Sequence, residues 1–178
     1  FIGQKINPNI LRLKINENLK KQDNLIIYSS PSKRTIQTCK FFYPKNKIII
    51  NNYLSEIDYG KVEGLTFQTL KKKFPITYQK MMGGRKFIFP DGESQIDLKN
   101  RVRKFFKEII KKKKQLSIVC THNNFIREVI GNIFLDNINK YYTIQIPYAL
   151  KIEFLISNNK ILPNFDRILL YKFFKNKI

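Results

Sequence analysis

The chain has 178 residues, 43% of them hydrophobic and 13% aromatic, which suits one domain with a sizeable core and excludes a disordered chain. No apolar run approaches the length of a membrane span and nothing reads as a cleavable leader, so a soluble, cytoplasmic protein without a membrane partner is expected. The formal net charge of +21 is spread along the chain and accompanies no nucleic-acid-binding motif. It is therefore read first as lysine-rich composition, then as attraction for a small anionic substrate, and only last as affinity for nucleic acid.

In chain order, residues 25–28 form a short β-prone run that ends in Ser29-Ser30-Pro31. A helix over 31–42 is expected to open at Pro31, since proline is tolerated in a first helical turn. Residues 47–50 read as a second buried strand and 51–64 as a polar, glycine-containing loop. A short helix spans 66–74 with Thr66 as its cap, and Gly83-Gly84 breaks the next helical stretch. The turn Asp91-Gly92-Glu93-Ser94 leads into a long helix over 95–113. Its apolar residues Ile96, Leu98, Val102, Phe105, Phe106, Ile109 and Ile110 recur at helical spacing, and the lysine run 111–114 closes it where the helix dipole favours cations. Residues 116–120 form a third buried strand, 121–124 a tight turn and 125–134 an amphipathic helix. A strand over 149–156 turns at Ser157-Asn158-Asn159 into 160–162, and the tail is helical or irregular.

Short hydrophobic strands between helices imply a mostly parallel central sheet with helices on both faces, an α/β three-layer sandwich. In such sheets ligands bind at the carboxyl ends of the strands. Three polar clusters follow strands here: Ser29, Ser30 and Arg34, then Glu56 and Asp58, then His122. Cys39 and Cys120 sit in apolar-periodic contexts with no metal-ligand spacing to the single histidine, so they read as two buried free thiols in a reducing compartment. No metal or other cofactor is expected.

His122 precedes a helix at a strand end, where backbone N–H groups and the helix dipole favour an anion, and a protonated imidazole would add a cationic donor. Arg34 lies in the first turns of a helix and offers a guanidinium that can grip phosphate in bidentate fashion. Thr38 lies one turn later on the same face. Glu56 would protonate a leaving oxygen if burial raised its pKa. Asp58 and Glu63 read as ties within their loop. Each residue alone also has an ordinary reading: a turn-capping histidine, a surface arginine, a solvated acid.

Together these segments resemble the histidine phosphatase superfamily, the phosphoglycerate-mutase-like branch 1. Residues 28–38 look like its strand–helix segment, in which serines and a proline precede an arginine and then a threonine. Residues 54–64 look like its acidic loop. Pro90-Asp91-Gly92-Glu93-Ser94 followed by Arg101 looks like its Gly-Glu-Ser element, and 119–127 look like its second histidine motif. The four occur in the family's order and cover roughly residues 1 to 156.

The resemblance implies phosphoryl transfer to a small phosphorylated substrate through a phosphohistidine, without metal. By it, Arg34 clamps phosphate, Glu56 is the acid and later the base, and His122 binds the phosphoryl group without attacking it. The position after His122, here Asn123, joins the substrate-binding set, although the family carries glycine there. The family's Arg-His-Gly belongs upstream of Phe1 to Gln4 and is absent from these residues, and 7–21 match the following helix poorly. The chain thus reads as one domain over 1–178, incomplete at its N-terminus and lacking its first strand, with the nucleophilic histidine missing from this fragment. A phosphatase is favoured over a phosphoglycerate mutase because the stretch between Phe74 and Pro90 is short. A non-catalytic relative that binds phosphorylated ligands or a protein partner is the alternative. Oligomeric state is left open.

Overall fold

The protein is described from a computed structural model covering residues 25–83, 87–112, 116–133, 146, 152–157 and 160–163. Its centre is strand β1, Ile26–Ser29, rich in the β-branched and aromatic side chains that pack on a pleated surface. β1 pairs in parallel with β2, Ile48–Ile50, on one side and with β3, Ser117–Cys120, on the other. The order β2-β1-β3 requires a crossover between parallel neighbours. Helix α1, Lys33–Phe42, makes the first. The second runs through two single-turn 3-10 helices, Asn52–Leu54 and Gly60–Val62, then α2, Phe67–Lys73, α3, Pro75–Gly83, and α4, Gln95–Ile110. Helix α5, Asn123–Ile133, follows β3, and β4, Phe154–Ser157, pairs antiparallel with β5, Lys160–Pro163.

Alternation along the strands sorts the side chains into two cores. Ile27, paired with Ile48 and Ile118, faces Cys39 and Tyr43 of and beside α1. Tyr28, paired with Ile49 and Val119, faces Leu98, Val102, Phe105 and Ile109 of α4 together with Phe125 and Val129 of α5. Phe105 meets both layers, edge-on to Tyr28 at 5.8 Å and to Phe125 at 5.9 Å. The expected α/β sandwich with a parallel sheet and helices on both faces is thus the observed fold.

Several local expectations shift. Helix α1 starts at Lys33, so Pro31 lies before its cap position, Ser32. The hydroxyl of Thr35 donates to the carbonyls of Ser30 and Ser32 and ties the entry turn instead. Helix α5 begins at Asn123, which places the expected turn residues Asn123 and Asn124 inside its first turn. β3 is half-buried and β2 is half-buried with Ile50 exposed, because among the described strands only β1 has a neighbour on each side. Ile96 is exposed, since it points away from the Leu98, Val102, Phe105, Ile109 stripe, whose spacing of three and four residues defines the buried face. Thr66 caps α2 by accepting from the Thr69 N–H, and Gly83 is the last residue of α3. Ser94 and Asp97 form a reciprocal capping box at the start of α4. The expected helix over 7–21, the end of the long helix at 113, the start of the last strand at 149–151, residues 158–159 and the tail lie outside the described residues.

Two glycines let the acidic loop lie against the turn before α4. Gly60 has φ +51°, and a Cβ on it would stand 2.2 Å from the Pro90 carbonyl oxygen. A Cβ on Gly92 would stand 2.5 Å from the Asp58 carbonyl oxygen. Gly64, at φ +75°, faces open space. Gly60→Ala should therefore lose about 2–4 kcal/mol, combining left-handed strain with a backbone clash. Gly64→Ala carries the strain alone and should lose about 1 kcal/mol. Urea unfolding of the two variants checks this, and equal losses would show that the close approach at Gly60 is relaxed in solution.

Candidate active site

The register of the sheet brings three strand ends level. Ser29 pairs with Ile50 on one side and with Cys120 on the other, so the segments after all three strands leave from one edge. Ser30 is fully buried there, and its N–H donates to the Cys120 carbonyl at 3.1 Å. Two residues past β3 stands His122, 5% exposed. Arg34, in the first turn of α1, places Nη2 2.8 Å from His122 Nδ1. A guanidinium has no acceptor, so Nδ1 must accept, and the imidazole proton sits on Nε2. Nε2 lies 2.8 Å from Ser30 Oγ and donates to it.

His122 is therefore neutral. Burial holds its pKa down to about 4, and the positive charges of Arg34 and Arg101 act the same way. The cationic donor expected from the strand-end position is Arg34 itself, with the imidazole serving as a neutral donor.

Glu56 reaches the cluster from the loop after β2. Its Oε1 accepts the Asn124 N–H at 3.2 Å and the Ile57 N–H at 3.0 Å. Burial raises its pKa, and the Ile57 and Asn124 donors and the Arg34 charge oppose that rise without cancelling it. A carboxyl group with a raised pKa retains its proton further toward neutrality, as a general acid must. Asn124 also donates through Nδ2 to the Tyr59 hydroxyl and accepts from Arg127 at 3.4 Å. Burial and the nearby Glu56 push the Tyr59 phenol up to about 12, so it stays a neutral hydroxyl.

Arg101 holds the Glu56 loop in place. It grips Glu93 with both ends of its fork, Nε to Oε1 at 2.7 Å and Nη2 to Oε2 at 2.8 Å. Its remaining donors reach the carbonyls of Tyr53, Ser55 and Glu56. Glu93 also accepts the Asp58 N–H at 3.0 Å, and Thr121 donates to the Leu54 carbonyl at 2.7 Å. Asp58 ties its loop as expected, by accepting from the Gly60 N–H. The expected tie from Glu63 runs through its backbone N–H to the Gly60 carbonyl, since the Glu63 side chain is exposed. Thr38 turns its hydroxyl back to the Arg34 carbonyl.

The structure thus joins Arg34 directly to His122 and links Glu56 to them through Asn124. Asn123 opens α5 with its Oδ1 buried and taking no hydrogen bond. Sequence reading singled out no role for Ser30, Asn124, Tyr59 or Arg101. Ser30 and Asn124 were signalled only by lying beside residues already selected, and Arg101 by its place after the Gly-Glu-Ser turn. Among the described residues no group of three or more His, Cys, Asp or Glu could hold a metal ion, and no helix is long and apolar enough to cross a membrane.

The chain and its fold have counterparts elsewhere. The family model of the histidine phosphatase superfamily, branch 1, matches residues 13–161. Phosphoserine phosphatase 1 of Hydrogenobacter thermophilus is 29% identical over 122 residues, which cover 66% of this chain and 58% of that protein. The chain thus spans less than two thirds of the length of this curated relative. A phosphoserine phosphatase variant from Entamoeba histolytica, solved in complex with phosphoserine, matches with TM-score 0.66 and 23% identity, covering 79% of this chain and 72% of that one. A mycobacterial glucosyl-3-phosphoglycerate phosphatase, solved with inorganic phosphate, matches with TM-score 0.68 and 17% identity over 84% and 79% of the two chains. These two structures share the fold.

The sequence contains one histidine, so its ring resonances can be followed singly. They should titrate with a midpoint of about 4, and inorganic phosphate should move that midpoint upward. Because the unfolded chain protonates near the ordinary histidine value of about 6.5, His122 should withdraw stability as pH falls from there through 4. A free-protein NMR midpoint near 6.5 would refute the buried, Arg34-paired arrangement.

Proposed function

This chain belongs to the histidine phosphatase superfamily, branch 1, and from that premise we propose that the protein is a phosphomonoester hydrolase working through a phosphohistidine. The observation that carries this reading is the contact of Arg34 and Ser30 with His122 at the carboxyl edge of the sheet, with Glu56 joined through Asn124. Relatives named as phosphatases support the same class.

In this reading the phosphoryl group of a small substrate binds between Arg34, His122 and the first turn of α5. The guanidinium and the Nε2–H meet its equatorial oxygens, where charge develops during transfer. An arriving dianion supplies the counter-charge that burial and Arg34 deny the imidazole, so Arg34 turns from Nδ1 to the phosphate and His122 gains a proton at Nδ1 as substrate binds. The attacking histidine is not among these 178 residues, whose one histidine already holds the binding position. Glu56 gives its proton to the leaving alkoxide as the P–O bond breaks, then takes a proton from the water that attacks the phosphohistidine. The short stretch between Phe74 and Pro90 favours a phosphatase over a mutase.

Asn123 favours a second reading, a non-catalytic protein that binds phosphorylated ligands. Its buried Oδ1 lacks a donor at the first position of α5, where an acceptor opposes an incoming anion.

Hydrolysis of p-nitrophenyl phosphate by the full-length protein tests the choice. His122→Ala and Arg34→Ala should each lower kcat/KM about 100- to 1,000-fold by removing charge stabilisation. Wild-type rates from both would overturn the site. A polypeptide of residues 1–178 alone should release no burst of p-nitrophenol, and a burst would overturn the placement of the nucleophile. Phosphate binding without turnover by the full-length protein would establish the second reading.

A further inference from the structure

In the phosphatase reading Glu56 is the acid, and two helices share the work of holding it. From α4, Arg101 fixes its backbone, with Nη2 on the Glu56 carbonyl at 3.2 Å. The carboxyl end is held at Oε1, which accepts the backbone N–H groups of Ile57 at 3.0 Å and of Asn124, in the first turn of α5, at 3.2 Å. Two donors occupy the lone pairs of that oxygen, so the protonated carboxyl carries its hydrogen on Oε2.

The side chain of Asn124 makes a second tie to the same loop. Its Nδ2 donates to the hydroxyl of Tyr59, three residues beyond Glu56. The orientation of the carboxamide follows from donor and acceptor types. Arg127 offers only donors, so Oδ1 faces Arg127 at 3.4 Å and Nδ2 faces the phenol. Asn124 is 4% exposed, so losing the phenol would strand a buried amide. Tyr59 is a firm anchor, because its ring packs on Phe89 with centroids 5.0 Å apart and the following Gly60 lies directly on the turn before α4. Backbone and side chain of Asn124 thus grip the loop on either side of Ile57 and Asp58.

We propose that Tyr59 and Asn124 are positioning residues for the acid, a clamp that aims the Glu56 Oε2–H at the leaving oxygen. This rests on the phosphatase reading and adds the residues on which proton delivery depends. As the nucleophilic nitrogen bonds phosphorus, the electron pair of the breaking P–O bond passes to the leaving oxygen. That oxygen takes the Oε2 proton and departs as a neutral alcohol, and Glu56 remains as a carboxylate. Without the phenol oxygen the Asn124 carboxamide loses the acceptor that sets it, and the Glu56 carboxyl swings more widely on its N–H. Proton delivery in bonding geometry then becomes rarer, and the cost falls on P–O cleavage. An ester whose leaving anion is already stabilised feels that cost least.

The test compares kcat/KM of the full-length protein for p-nitrophenyl phosphate and for phenyl phosphate in Tyr59→Phe, in Asn124→Ala and in the double variant. The two esters share the phosphoryl group and the ring, so a loss of folded protein or of phosphate binding lowers both alike and cancels in their ratio. Nitrophenolate leaves with little help from an acid, whereas phenolate needs it. The ratio in favour of p-nitrophenyl phosphate should rise at least about tenfold in each single variant, and no further in the double variant. Tyr59→Phe keeps the ring that packs on Phe89 and decides the matter alone if Asn124→Ala does not fold. In a Glu56→Gln background, Tyr59→Phe should leave the ratio where Glu56→Gln has put it. Equal losses on the two esters, or no loss on either, overturn the clamp and leave the phosphatase reading standing. A further rise in the Glu56→Gln background overturns action through Glu56. A wild-type protein that hydrolyses neither ester overturns the phosphatase reading, and the clamp falls with it.

Discussion

The register of β1 against its two parallel neighbours is the constraint on which the site depends. Parallel pairing repeats one slanted bond pattern along the strands, so the relative level of their ends follows once a single pair is set. Ser29 opposite both Ile50 and Cys120 sets it here. A slip of one residue would turn Ile27 and Tyr28 to the wrong cores and move Ser30 away from His122. The two hydrophobic cores enforce the register, and the polar edge depends on that enforcement.

At that edge two buried side chains meet an exposed guanidinium. Ser30 and His122 are buried, and Arg34 meets the imidazole at Nδ1. Placing a guanidinium against a neutral imidazole disfavours a second positive charge, which is why the histidine pKa is low without ligand. The same arrangement is complementary to an anion, since an anion offsets the repulsion that a protonated imidazole meets from Arg34. Opposite pKa shifts on His122 and Glu56 come from one cause, burial, acting on a base and an acid.

The acidic loop contains no long regular element, and its order comes from outside it. Arg101 contributes five donations to the Tyr53, Ser55 and Glu56 carbonyls and the Glu93 carboxylate. Gly60 and Gly92 allow backbone to lie directly on backbone. Glu56 is thereby held by the long helix α4, whose opposite face carries Phe105 into the core. The hydrophobic stripe and the Glu56 loop are two consequences of one helix placement.

The sequence by itself determined the class of fold, the strands and helices, and the family, because alternation, helical spacing and short motifs are local properties of the chain. Arg34, Glu56 and His122 were legible for the same reason, each set in a recognisable stretch beside a strand end. Only the tertiary structure decided that Arg34 bonds His122 itself, that the imidazole is neutral, and that Arg101 serves the Glu56 loop. Each of these pairs residues far apart in sequence, whose meeting depends on parallel register and helix packing. The protonation state depends on burial, which no local pattern measures. The half-buried strands and the exposed Ile96 differ from expectation on the same ground, since a strand's neighbours and a helix's facing partner are settled only when the chain is packed.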